Sequence, residues 1–221
     1  MSTVMAMLRQ LVAAVAFLAL TAPAAALTVE ELTAMLVAHQ APEAPDLVNQ
    51  DLAGLDLTGL DFKGANLTGA NLKRAKLAGA DLSGATLDLA ILRGADLRGA
   101  DLRGASAFST IFAEADLSGA DLAGAMLVSN FENARLAGAN LSGVLAGADM
   151  RNQSMGLMRL SLKNADLRDA NLRGADLSRA MLDFADFPGA DLSGANLLMA
   201  EAAGADFSGA NLAGANFTGA D

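Results

Sequence analysis

The chain has 221 residues, with 15 Lys and Arg against 25 Asp and Glu, a formal charge of −10, no cysteine and one histidine. That acidity excludes direct nucleic-acid binding, which needs a basic face, and the lack of Cys excludes disulfides and a lipoprotein anchor. Apolar residues make up 53% of the chain but aromatic ones only 4%, so a narrow interior of Ala and Leu is expected.

Residues 1–26 read as a secretory signal. Arg9 is the one charge, Leu11 to Leu20 is an apolar run, and Thr21 to Ala26 ends in small residues of A-x-A type. The run is shorter than the roughly 20 residues that cross a bilayer. Cleavage after Ala26 is therefore expected, with a periplasmic or secreted product and no transmembrane segment left.

Residues 27–44 form a helix and a linker. Thr28 and Glu31 make a Thr-x-x-Glu capping box, and Val29, Leu32, Leu36 and Val37 fall on one side of a segment ending near Gln40. Pro42 and Pro45 stop it. A helix laid over an open β-coil covers unpaired edge groups, so this one is expected to cap the first coil. His39 lies at its end, where a solvated imidazole is the expectation and a catalytic one is not.

From residue 45 to the end the chain repeats every five residues, most regularly from Ala65 to Gly104, as ANLTG ANLKR AKLAG ADLSG ATLDL AILRG ADLRG ADLRG. On a helix, Leu at every fifth position advances about 140° per copy and makes no apolar stripe. In an extended segment Ala and Leu share one face while the Asp or Asn between them faces the other way. Two residues then remain for a corner, and Gly suits the third position of a type II turn, which needs positive φ. Each quintet is one short side plus a corner, and the sides must stack to bury their apolar face.

These units, ADLSG, ANLRG and ADLRG among them, make the chain resemble the pentapeptide-repeat proteins from about Pro45 to Gly219. The resemblance implies an all-β fold, a right-handed quadrilateral parallel β-helix with four quintets per coil and a length of roughly 40 Å. Leu67, Leu72, Leu82, Leu97, Leu102, Phe187 and Phe207 would then form the core ladder. Phe187 and Phe207, twenty residues apart, would stack ring on ring.

Four-fold spacing also predicts surface columns. Asp61, Asp81, Asp101 and Asp121 would stack about 5 Å apart as an acidic strip, relieved by pairs such as Asp96 with Arg98, Asp101 with Arg103 and Asp166 with Arg168. The pattern breaks between residues 125 and 154. AMLV and VLAG are each one residue short and ADMRNQS is two long, so Met155 resumes the original phase. Such a break predicts a bulge or loop, and Arg151, Asn152 and Gln153 join the four aspartates as a candidate interaction surface.

No catalytic, metal or cofactor constellation is legible: one His, no Cys, serines in Ser-Gly corners, and glycines spaced by five instead of set in a phosphate loop. The expectation is a non-enzymatic exported scaffold with no cofactor that binds a protein partner, and a homodimer through the last, uncapped coil. The alternative is a DNA mimic that binds a type II topoisomerase, since some pentapeptide-repeat proteins protect gyrase in this way.

Overall fold

The computed structural model describes residues 27–38, 45–146 and 159–221; the expectations for the leader, His39 and Arg151 to Gln153 lie outside them. Outside one irregular coil the quintets of the repeat are built alike. In Ala65-Asn66-Leu67 the two apolar side chains are fully buried and the Asn between them faces out. The chain then turns: Ala70 N–H donates to the Leu67 carbonyl at 3.0 Å, and Gly69 between them has φ +68°. This is the left-handed third position that the type II turn demands.

Parallel bridges join residues twenty apart, Asn66 to Thr86 and Asp61 to Asp81 for instance, so four quintets close one coil and the tube has four walls. The walls are numbered here by their first bridged residue: Asp46 opens the first, Asp51 the second, Asp56 the third and Asp61 the fourth. The second and fourth are opposite each other. Each wall contributes one bridged residue per rung, held by two ladder hydrogen bonds such as Asn66 N–H to the Pro45 carbonyl and Leu67 N–H to the Thr86 carbonyl.

The interior is one continuous column of Ala and Leu. Leu67, Leu72, Leu82, Leu97, Leu102 and Phe187 are buried, while Phe207, in the last coil, is only partly covered. Phe187 and Phe207 stack at 4.8 Å with planes 6° apart, as their spacing predicts. A second stack, Phe112 on Phe131 at 4.5 Å, joins residues nineteen apart. That spacing is the signature of the irregular coil.

Between Leu127 and Phe131, both buried, the chain spends four positions on a side where five is the rule, so Ile111 bridges Asn130 and Asp121 bridges Asn140. At the slip Ser129 Oγ donates to the Ala107 carbonyl, and one rung before it Thr110 Oγ1 donates at 2.7 Å to the Leu87 carbonyl, which also accepts the Ala90 N–H at 2.9 Å. These hydroxyls explain why buried Ser and Thr stand where other quintets have Ala. Phase returns differently from the sequence expectation. Asn130 bridges Ser161 and Leu145 bridges Asp176, so the path from Leu145 to Ser161 takes sixteen positions in place of five. The first short unit stands as predicted; the eleven extra positions all fall between Leu145 on the first wall and Ser161 on the second, where the sequence reading kept quintets running.

Helix α1 spans Val29–Ala38. Its capping box forms as read, with Thr28 N–H donating to Glu31 Oε2 at 3.0 Å and Glu31 N–H to Thr28 Oγ1 at 3.2 Å. Leu32 is fully buried and Leu27, Met35 and Leu36 pack against the core, but Val37 is 54% exposed. The apolar stripe is therefore narrower than expected, and Val37 falls outside it.

Candidate interaction surface

The fourth wall carries the predicted column. Asp61, Asp81, Asp101 and Asp121 are bridged in order and continue through Asn140, Asn171, Asp191 and Asn211, so every outward position is Asp or Asn. The side chain at this position has a local task. Its Oδ1 accepts the backbone N–H two residues on: Lys63 to Asp61 at 2.9 Å, Ser83 to Asp81 at 2.9 Å, Arg103 to Asp101 at 3.0 Å and Ala123 to Asp121 at 3.0 Å. Asn serves equally, as the Thr68 N–H to Asn66 bond at 3.2 Å shows. An Asx acceptor across each Leu satisfies a turn amide that the ladder leaves over.

Repulsion along the column is relieved in two ways. Where Asn follows Asp, its amide donates down the column, from Asn140 Nδ2 to Asp121 Oδ1 at 2.9 Å and from Asn211 Nδ2 to Asp191 Oδ1 at 3.0 Å. Elsewhere, at Asp101 of this wall and at Asp96 and Asp166 of the third, Arg folds back across its Leu. Arg98 meets Asp96 at 2.7 Å, Arg103 meets Asp101 at 2.5 Å and Arg168 meets Asp166 at 2.7 Å. Those guanidinium hydrogen bonds, opposed by burial, hold the three carboxyls below the usual carboxylate range.

The surface is not uniform around the tube. Among the described residues eleven other than Gly have φ between 55° and 63°, and ten of them lie on the two edges that flank the second wall. Asn49, Leu89, Ser109, Arg179 and Met199 line the edge shared with the first wall; Arg74, Glu114, Asn133, Asn164 and Phe184 line the edge shared with the third. The other two edges are glycine except at Asp169. A left-handed backbone costs an L-residue roughly 1 kcal/mol or more, so side chains are kept on these edges where glycine would close the corner more easily.

The same region is apolar. Leu89, Ile91, Ile111, Met126 and Leu145, exposed by 37–59%, are on the first and second walls or the edge between them. Sequence reasoning passed over this face although its signal was present: Ile91 and Ile111 are twenty apart in the position that most quintets give to Asp or Asn. Beside them a cleft of about 260 Å³ opens where the coil slips, lined by Thr110, Val128, Ser129, Glu132, Arg159 and Ser161 among others. Arg159 there pairs with Glu201 at 2.6 Å. Among the described residues no group of His, Asp and Glu is arranged to hold a metal ion.

A four-walled tube of stacked quintets with glycine corners and an Asp/Asn ladder defines a class of solenoid. The family model of pentapeptide repeats matches residues 46–69, 70–106, 108–155, 161–197 and 200–221, and the chain belongs to that family, whose members form right-handed quadrilateral β-helices. Among solved structures it is similar to HetL, a pentapeptide repeat protein involved in heterocyst differentiation regulation in the cyanobacterium Nostoc sp. strain PCC 7120, at 31% identity over 88% of this chain and 96% of that one, TM-score 0.30. It is also similar to QnrB1, a plasmid-mediated fluoroquinolone resistance protein, at 22% identity over 74% of this chain and 84% of that one, TM-score 0.48. A pentapeptide repeat protein of the Arabidopsis thaliana thylakoid lumen is 38% identical over 49% of this chain and 73% of its own, TM-score 0.26. No curated protein matches the chain significantly.

Proposed function

We propose that this protein is an exported, non-enzymatic scaffold that binds a cationic protein partner along its acidic fourth wall. The supporting observation is the fixed placement of the carboxylates of Asp61, Asp81, Asp101 and Asp121, each with one oxygen tied to a turn amide. Their rungs repeat at about 4.8 Å. Charges already ordered lose little entropy when a partner arrives. Export is read from residues 1–26. Burial of Leu32 in the core supports the reading of α1 as the cover of the first coil.

The test uses Asn, which this position already accepts as a cap. Changing all four aspartates to Asn removes charge and keeps the turn bonds. A protein captured from the periplasmic fraction by the wild type should be lost by the fourfold Asn variant and weakened by salt. Equal capture by both would refute the reading.

The second reading, a mimic of DNA that binds a type II topoisomerase, draws on the same regular column along a rod. Charge density counts against it: residues 45–221 hold 22 Asp and Glu against 14 Lys and Arg, and a net −8 over roughly 40 Å is about one charge per 5 Å, against one per about 1.7 Å of duplex. Cell fractionation and a supercoiling assay separate the two. A cytoplasmic protein that inhibits gyrase would reverse their order.

A further inference from the structure

The second wall, opposite the acidic column, has an order of its own. The second to fifth of its eight described rungs read Asn71, Ile91, Ile111, Asn130. That sequence of side chains is a palindrome about the point between the two isoleucines. The edge toward the third wall reverses its charge at the same level. Lys73 and Arg74 stand on the rung of Asn71 and Arg93 on that of Ile91, whereas Glu114 stands on the rung of Ile111 and Glu132 on that of Asn130. Arg93 and Glu114 meet each other across the centre.

We propose that this wall is a self-pairing surface on which a second copy of the chain docks antiparallel. A two-fold axis lying across the wall between Ile91 and Ile111 places each isoleucine on the other isoleucine of the second copy. The same operation sets Lys73 and Arg74 against Glu132 of the second copy, and Glu132 against its Lys73 and Arg74. One patch thus meets itself with apolar side chains in the middle and opposite charges at both ends, as an isologous contact requires.

Charge selects this wall over the others. Copies carrying −10 each repel, and docking fourth wall on fourth wall would stack Asp on Asp. On the second wall the acidic column is interrupted, and Ile91 and Ile111, 38% and 37% exposed, hold the outward positions. Leu89, 59% exposed, extends the apolar strip onto the edge in a left-handed conformation that glycine would adopt more easily. The patch is small, about 15 Å along the tube. Its contact falls below the roughly 800 Å² per partner of a standard interface, so association is concentration-dependent and weak. Pairing this way leaves the acidic fourth wall outward on both copies.

Sedimentation velocity of the full-length chain over a range of concentrations tests the proposal, with circular dichroism to confirm folding of each variant. Wild type should show a monomer–dimer equilibrium weakened by salt. K73E/R74E alone and E132K alone should each weaken it at least tenfold, and an equimolar mixture of the two should recover it, because the mixed pair restores opposite charges at both ends. A second measurement exploits the absence of Cys: N71C mixed with N130C should cross-link through a short bismaleimide, and neither should cross-link alone, since like positions lie about three rungs apart. A wild type that stays monomeric, a mixture no tighter than its components, or cross-linking of N71C to itself would overturn the proposal. So would loss of dimer on changing Phe217 to Asp, which would assign pairing to the last coil instead. The fourfold Asn variant of the fourth wall should dimerise as the wild type does, which keeps this test separate from that of the acidic surface.

Discussion

Asp101 accepts the Arg103 amide at 3.0 Å and the Arg103 guanidinium through both carboxylate oxygens. Asp101→Ala removes the cap and should cost about 1 kcal/mol, whereas Asp101→Asn keeps an acceptor in place and should cost less than half as much; urea midpoints distinguish them. The carboxyls of Asp96, Asp101 and Asp166 are held below their usual range chiefly by Arg hydrogen bonds, so the unfolded chain takes up protons before the folded one does. Their contribution to stability is complete above the unfolded value near pH 4 and is lost as pH falls through the lower folded values. Urea midpoints should accordingly be insensitive to these groups from pH 7 to about 5 and drop below about 4, with a shallower drop in the triple Asn variant. Ser129 adds a third case at this scale: Ser129→Ala leaves the Ala107 carbonyl without the hydroxyl it accepts from, and should destabilise by about 1–3 kcal/mol.

At the scale of the edge, the distribution of left-handed residues makes opposite predictions for neighbouring corners. Gly104 has φ +63° with open space around a would-be Cβ, so Gly104→Ala bears only backbone strain, about 1 kcal/mol. Gly204 is worse placed: its Cβ would come 2.7 Å from the Phe184 ring, which leans over the corner of the next rung. Gly204→Ala should therefore lose more stability than Gly104→Ala in the same denaturant series. Leu89→Gly runs the other way. It relieves a positive φ at a side chain that is mostly in solvent, and a gain of about 0.5–1 kcal/mol is expected once the added freedom of the unfolded chain is subtracted. The walls and corners were legible in the quintet because side-chain alternation and turn chemistry are local. The two-sidedness was not, since it depends on which corners keep a side chain, and a motif written with glycine at its end treats Leu89, Phe184 and Met199 as mere departures from the rule. Asp and Asn likewise read in the sequence only as residues facing solvent, because the amide they cap belongs to a turn whose geometry only the folded chain supplies.

Over the whole molecule, stability is a sum over stacked rungs, and any change that keeps the phase should be tolerated better than one that breaks it. A single rung cannot bury its own apolar face, so it survives only on intact neighbours. The bridges give the arithmetic of the irregular region: five positions would carry the chain from Leu145 to Ser161, and sixteen are used. Deleting residues 147–157 leaves Leu145, Ala146, Met158, Arg159, Leu160 and Ser161 in succession, which restores an outward residue, an inward Ala and Leu, and a two-residue corner. That variant should fold to the same β-rich spectrum with a midpoint within a few degrees of wild type, whereas removing ten or twelve residues would throw Ser161 and everything after it out of register and should unfold the C-terminal coils. A deletion of eleven that melted as early as its neighbours would mean that residues 147–157 support the tube and are not simply inserted into it. An unchanged midpoint, joined to unchanged capture by the acidic wall, would free this corner for study as a site of its own.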